Sequence, residues 1–210
     1  MSDLFSQIKR ELAGSDVLIH EQAPLCHYTT FRIGGPARML LCPQNTRALI
    51  TICTCLQNKD IPVFILGNGS NVVFADEGYD GVVVSTRAQK EEIHVEADRL
   101  YCTAGTSMSA ISLKAYEHSL YGLAFAQGIP GTVGGAIYMN AGAYTGEICQ
   151  VVASSRYIGE DGAIGTYYGD EHQFGYRKSV YTNTRKIILD ACFQLAYGDV
   201  YKRQLTTPPA

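Results

Sequence analysis

Directly after the apolar run at residues 62–66 comes Gly67-Asn68-Gly69-Ser70-Asn71, and no other feature limits the possible folds more tightly. A strand that runs into two glycines one residue apart must turn sharply. It also presents a backbone with no Cβ in the way of an approaching group. Successive N–H groups can then converge on one anion, and Ser70 and Asn71 add side-chain donors. Two readings fit the loop taken alone: a cradle for a phosphate or diphosphate, or a tight turn between strands. It is not a dinucleotide fingerprint of the G-x-G-x-x-G kind, because the third glycine would fall at Val72 and the following residues read as strand rather than helix. No Lys-Ser/Thr pair follows, so it is not a P-loop.

A second glycine segment lies further on, Gly128-Ile129-Pro130-Gly131-Thr132-Val133-Gly134-Gly135-Ala136. Pro130 stiffens the approach. Gly134 and Gly135 are expected to open a helix whose free N–H groups and dipole favour negative charge. Another cluster follows, Asn140-Ala141-Gly142-Ala143-Tyr144-Thr145-Gly146-Glu147. By itself this stretch also reads as a close-packed loop between two lobes. Together, the two segments point to a clamp on an extended phosphorylated cofactor lying between lobes.

The rest of the chain supplies a scaffold of mixed type. Leu4, Phe5, Ile8 and Leu12 share one helical face, and Leu49, Ile52, Cys53 and Leu56 repeat at i, i+3, i+4, i+7 behind Asn45, a good N-cap. Strands are predicted at 16–20, 38–42, 62–66, 72–75 and 82–85. The run at 62–66 reads as a buried strand, and strand, helix, strand in that order predicts a βαβ unit. From Ile93 the pattern changes to alternation, a hairpin with one wet face turning near Asp98. Thr106 is the expected cap of a helix burying Met108, Ile111 and Ala115. A short helix is predicted at 136–140, and strands beyond Val151. The division that follows is an N-terminal helix and strand at 1–28, a large domain at 29–197 with lobes at about 29–88 and 89–197, and an irregular tail at 198–210. The fold class is α+β.

Composition removes several functions from consideration. Hydrophobic residues make up 46% of the 210 positions, enough for a real core, and the net charge of -3 leaves no basic footprint for nucleic acid. No stretch is apolar and long enough to span a bilayer, and residues 1–14 lack a signal-peptide core, so the chain is expected to be cytoplasmic with its seven cysteines reduced. The five histidines and the cysteines show neither H-x-x-x-H nor C-x-x-C spacing, and no metal site is expected.

One more motif carries chemistry. Phe174-Gly175-Tyr176-Arg177-Lys178-Ser179-Val180-Tyr181 sets a single arginine in an aromatic and hydroxyl-rich run. A fixed guanidinium can bind a carboxylate or stabilise a developing enolate. It can equally be a salt-bridged surface arginine.

Four of these pieces, in this order and spacing, resemble one family. Thr29-Thr30-Phe31-Arg32-Ile33-Gly34-Gly35-Pro36-Ala37 resembles the N-terminal signature of the MurB reductases. The loop from Gly67, followed by Asp76-Glu77-Gly78-Tyr79-Asp80-Gly81, is similar to their first flavin loop. The segments from Gly128 and from Asn140 are similar to the second, and Tyr176-Arg177-Lys178-Ser179 resembles their Tyr-Arg-x-Ser motif. The resemblance runs over roughly residues 25–197. It implies a two-lobed FAD-binding fold of the PCMH/vanillyl-alcohol-oxidase type. FAD would be held by Gly67, Asn68, Gly69, Ser70 and Asn71, by Gly128, Ile129, Pro130, Gly131, Thr132, Gly134, Gly135 and Ala136, and by Gly142, Ala143 and Tyr144. It implies Arg177 as the catalytic residue that holds the substrate carboxylate and stabilises the enolate. NADPH is the implied hydride donor, and the implied reaction turns the enolpyruvyl ether of UDP-N-acetylglucosamine into UDP-N-acetylmuramate for peptidoglycan synthesis. The family's proton-donating serine and C-terminal glutamate find no counterpart here. The substrate domain is therefore expected to be absent, with weak FAD binding and no turnover by this chain alone. Ser179 is expected to be a structural hydroxyl. The flavin loops without the arginine motif would also allow another FAD-linked oxidoreductase of the same superfamily, or a non-catalytic flavin-binding module.

Overall fold

Two stretches with helical spacing of apolar residues fold as helices and cover one face of a sheet. In the computed structural model, which describes residues 2–198, they are α1 (Ser2–Glu11) and α2 (Thr46–Leu56). Asn45 caps α2, its side-chain oxygen accepting from the Ala48 amide at 2.8 Å. Ile8, Leu12, Leu49 and Ile52 are buried against Met39, Leu41, Val82 and Val84. Each such side chain contributes about 1.5–3 kcal/mol relative to exposure.

The sheet beneath is built from β1 (Val17–Pro24), β2 (Pro36–Pro43), β3 (Val63–Leu66) and β4 (Tyr79–Ser85), in the order β1-β2-β4-β3. β1 runs antiparallel to β2, while β2 and β3 both pair with β4 in parallel. The central strands β2 and β4 are apolar on both faces because the side away from the helices holds a further core of Leu25, Leu40, Leu66, Phe74 and Val83. Two strand expectations need correction here. β4 inserts between β2 and β3, so β3 is an edge strand with Val63 and Ile65 turned partly to solvent rather than a buried one. Residues 72–75 are not a strand: Phe74 plugs the core, Val73 is exposed, and the Ala75 carbonyl accepts from Gly35 and Gly78 instead of joining a ladder.

The second sheet takes its strands from later in the chain. They are β5 (Ile93–Glu96), β6 (Arg99–Thr103), β10 (Val152–Ile158), β11 (Ile164–Tyr168) and β12 (Ile187–Gln194). Between β6 and β10 lie α3 (Met108–Glu117), β7 (Leu120–Tyr121), α4 (Val133–Tyr138), β8 (Gly142–Ala143) and β9 (Gly146–Glu147), and β13 (Ala196–Tyr197) closes onto β7. The order is β11-β10-β12-β6-β5, antiparallel throughout. Its core gathers Leu100, Met108, Ile111, Val133, Ile137 and Phe193. Ile158 and Leu189 reach from this sheet into the core under α1 and α2, so the two sheets share packing. Helix α3 is capped by Ser107 rather than Thr106; the Thr106 hydroxyl is buried and pairs with that of Thr103 at 2.9 Å. The short helix begins at Val133, earlier than the predicted 136–140, because Thr132 caps it. Beyond Gly198, the tail expected at 198–210 lies outside the described residues.

Candidate cofactor site

The first glycine loop leaves β3 and runs along the second glycine segment. The Asn68 side-chain amide donates to the Pro130 carbonyl at 3.0 Å, and Asn71 Nδ2 lies 3.8 Å from Met139 Sδ. A methyl group on Gly67 would stand 2.5 Å from Thr132 Oγ1, so the two segments touch with no room for a side chain. From the other side the loop is held by Thr30, whose backbone N–H donates to the Gly69 carbonyl at 3.0 Å. Gly69 has φ +66° and its Cβ position falls 2.1 Å from the Tyr28 carbonyl oxygen, so only glycine fits.

The amides of this loop open a longer run without protein acceptors, which continues to Glu77. Among the described residues, the backbone N–H groups of Gly67, Asn68, Gly69, Ser70 and Asn71 have no protein acceptor. Five successive free donors, one at a left-handed glycine, are the kind of backbone run that suits an anion. The second segment behaves differently from expectation. Val133 N–H donates to the Thr106 carbonyl, Gly134 N–H to Ala104, and Gly135 N–H to Thr132 Oγ1. The free helix N-terminus expected at Gly134 and Gly135 is therefore not present: the loop after β6 and the Thr132 cap have already taken those groups. Ala136 is buried in the second core, its amide spent on the Thr132 carbonyl. What the segment does offer is space. Methyl groups on Gly128 and Gly131 would meet nothing closer than 3.6 Å, so the protein alone gives no steric reason for glycine there.

Past α4 the chain makes a two-stranded hairpin of β8 and β9, with Tyr144 and Thr145 at its tip at φ +50° and +70°. Tyr144 is exposed, and its ring edge comes near Gly128. Facing this hairpin is a second turn, Gly175-Tyr176-Arg177-Lys178, closed by backbone bonds between Gly175 and Lys178. Arg177 sits in it at φ +54°, a conformation costing a non-glycine residue about 1–3 kcal/mol. The two turns wall a cleft of about 360 Å³ lined by Gly142, Ala143, Tyr144, Glu147, Tyr176 and Arg177 among others. Arg177 makes no ion pair among the described residues; its guanidinium carbon lies 5.8 Å from the Tyr176 ring centre.

The base of the arginine turn is rigid. Phe174 stacks on His172 with ring centres 5.0 Å apart, and His172 Nε2, Ser155 Oγ and the Tyr181 hydroxyl form a buried chain with links of 2.8 and 2.7 Å. Burial holds the His172 imidazole below its ordinary value, against the opposing pull of the Gly169 carbonyl. Ser179 donates 2.7 Å to the Tyr138 carbonyl at the end of α4. Its hydroxyl is spent on structure.

The family model for an FAD binding domain matches residues 37–167, the span that holds both glycine segments. The chain belongs to this FAD-binding family, within it to the MurB branch. It is 38% identical over 197 residues to the UDP-N-acetylenolpyruvoylglucosamine reductase of Streptococcus thermophilus (strain CNRZ 1066), covering 94% of this chain and 64% of that one. The enzyme of the same name from Clostridium novyi (strain NT) is 41% identical over 176 residues, covering 82% and 56%. The crystal structure of MurB from Thermus caldophilus superposes with a TM-score of 0.72 at 29% identity, covering 92% of this chain and 71% of that one. A BBE-like protein of Physcomitrella patens shares the two-lobed fold at a TM-score of 0.65 and 15% identity. The chain spans just under two thirds of the length of the first of these reductases. Among the described residues no helix is long and apolar enough to cross a membrane.

Asn140 went unmarked as a site residue in the sequence, although it ties both turns together. A local signal existed: an asparagine directly after a short apolar helix is a common left-handed C-terminal cap.

Proposed function

We propose that this chain is the FAD-holding part of a cytoplasmic, NADPH-driven reductase that converts the enolpyruvyl ether of UDP-N-acetylglucosamine into UDP-N-acetylmuramate in peptidoglycan synthesis. The observation that carries the reading is the row of unmatched amides from Gly67 to Asn71, pressed against a glycine segment with spare room at Gly128 and Gly131. Those residues fit FAD: the amides of Gly67 to Asn71 would hold its diphosphate, and Gly128 and Gly131 would leave room beside it. Ile129, Pro130 and Thr132 shape the wall, with Pro130 and Thr132 fixed by the first loop. When bound, FAD supplies the two-electron chemistry of such a reduction. Arg177 supplies a permanent positive charge at the cleft, where it can hold a carboxylate in bidentate fashion and stabilise negative charge that grows on it. Tyr144 and Tyr176 are exposed aromatic residues that line the cleft. The bond from Ser179 to the Tyr138 carbonyl supports a structural role for that hydroxyl.

The test uses the full-length protein that carries this chain. FAD release on denaturation and NADPH oxidation that depends on the enolpyruvyl sugar are expected. Arg177→Ala should lower kcat by about 10²–10³ with FAD retained, as for loss of one charge-stabilising donor. A protein loaded with FAD that oxidises NADPH only with a different acceptor would overturn the substrate assignment.

A further inference from the structure

Helix α4 ends in a tight left-handed cap. The Ala141 N–H reaches back to the Ala136 carbonyl at 2.8 Å and the Asn140 N–H to Ile137 at 3.4 Å, with Asn140 at φ +44°. This is the six-to-one and five-to-two pattern in which glycine is the usual residue. Asparagine there retains the left-handed backbone and adds an amide. The residue is only 3% exposed, and every arm of its amide is engaged. Nδ2 donates to Glu147 Oε2 at 2.9 Å and to the Gly175 carbonyl at 3.2 Å, while Oδ1 accepts from the Cys149 N–H at 3.0 Å.

These three bonds join the two walls of the cleft. Glu147 and Cys149 belong to the Tyr144 hairpin and its continuation. Gly175 opens the turn that carries Arg177, and its carbonyl also closes that turn by accepting from Lys178 at 3.3 Å. We infer that Asn140 is the positioning residue of Arg177: its side chain sets the distance between the arginine turn and the cofactor wall. Asn140 lies at the base of the cleft and reaches the arginine turn through the Gly175 carbonyl. The inference rests on the reading of Arg177 given above, and it explains why a residue other than glycine occupies this cap.

Asn140→Gly is the decisive variant, because glycine retains the helix cap and deletes only the side-chain bonds. In the folded chain, trypsin should cut after Arg177 or Lys178 about fivefold faster in the variant, the change expected from one hydrogen bond of about 1 kcal/mol. Glu147→Gln, which still offers an oxygen to Asn140, should leave the rate near wild type. A second readout is the reduction potential of bound FAD. A guanidinium near the ring stabilises the anionic reduced flavin, so Arg177→Ala should lower the potential. Asn140→Gly should lower it in the same direction, and the double variant should fall no lower than Arg177→Ala alone. Wild-type cleavage in Asn140→Gly, or a potential shift that adds in full to that of Arg177→Ala, overturns the inference. If Arg177→Ala leaves the potential unmoved, the reading of Arg177 beside the flavin fails, while the cleavage rate still decides the tie. Should Asn140→Gly not fold, Asn140→Asp combined with Glu147→Gln takes its place. That pair restores a bond between the two side chains with its polarity reversed but has no donor for Gly175, so the turn should again be cut faster; protection at the wild-type level overturns the inference.

Discussion

The contact between the two glycine segments can be tested by placing a methyl group in it. In Gly67→Ala the new carbon would lie 2.5 Å from Thr132 Oγ1, about 0.9 Å inside an ordinary contact, and overpacking of this kind costs about 1–3 kcal/mol. Thr132→Ala removes the cap of α4, a long bond of 3.4 Å to Gly135, at about 0.5–1 kcal/mol. Once Oγ1 is gone, the nearest atom to the methyl added at position 67 is the Cβ of residue 132 at 3.7 Å, which is normal packing. The Gly67 backbone is not left-handed, so alanine there even reduces the entropy of the unfolded chain by about 0.4–1 kcal/mol. The double variant should therefore be about as stable as Thr132→Ala, giving a coupling of roughly 1–3 kcal/mol between the two sites. Urea unfolding of the four proteins, each with and without saturating FAD, measures this directly. Strictly additive costs would show that the segments do not touch as described, and with that contact the shared cofactor wall would be lost.

Other consequences follow from single side chains. Ser179→Ala leaves the Tyr138 carbonyl without its 2.7 Å donor and should cost about 1–2 kcal/mol, a fall in Tm of about 3–6 °C, while proton delivery to substrate in the full-length protein continues. Turnover abolished with Tm unchanged would make the hydroxyl chemical instead. His172 is held below its ordinary value of 6.5 by burial, so the unfolded chain takes up its proton first as pH falls. The stability it contributes is present above 6.5 and lost as pH drops toward the folded value. The Tm advantage of wild type over His172→Gln should shrink between pH 8 and pH 5, and a constant difference would contradict the assignment.

Much of the frame was legible because it is local. The i, i+3, i+4, i+7 spacing from Leu49 and the cap at Asn45 specify α2 without help from the rest of the chain. Alternation from Ile93 to Cys102 yields the β5–β6 hairpin for the same reason. The errors arise where distant backbone decides. Residues 72–75 look like a strand by composition, yet Phe74 is needed as a core plug and the neighbouring edge is occupied by glycines at 34 and 35. Thr106 and Ser107 are adjacent hydroxyls of equal capping merit; a buried bond to Thr103 removes the first from the choice. Gly134 looked like a free donor because nothing nearby in sequence announces that the Ala104 carbonyl will claim it, while Gly135 is taken locally by the Thr132 cap. The order and chemistry of the cofactor loops were readable. Which of their amides remain unspent required the tertiary structure.

That difference in spending has a thermodynamic consequence. The α4 end is completed by the polypeptide itself, whereas the loop after β3 leaves five successive amides without a protein acceptor. Ligand occupancy is thus linked to folding: at a free FAD concentration a hundredfold above Kd the native state gains about 2.7 kcal/mol. Melting temperature becomes a gauge of saturation, climbing with the logarithm of added flavin. Intracellular abundance of the polypeptide should accordingly follow the cell's riboflavin supply.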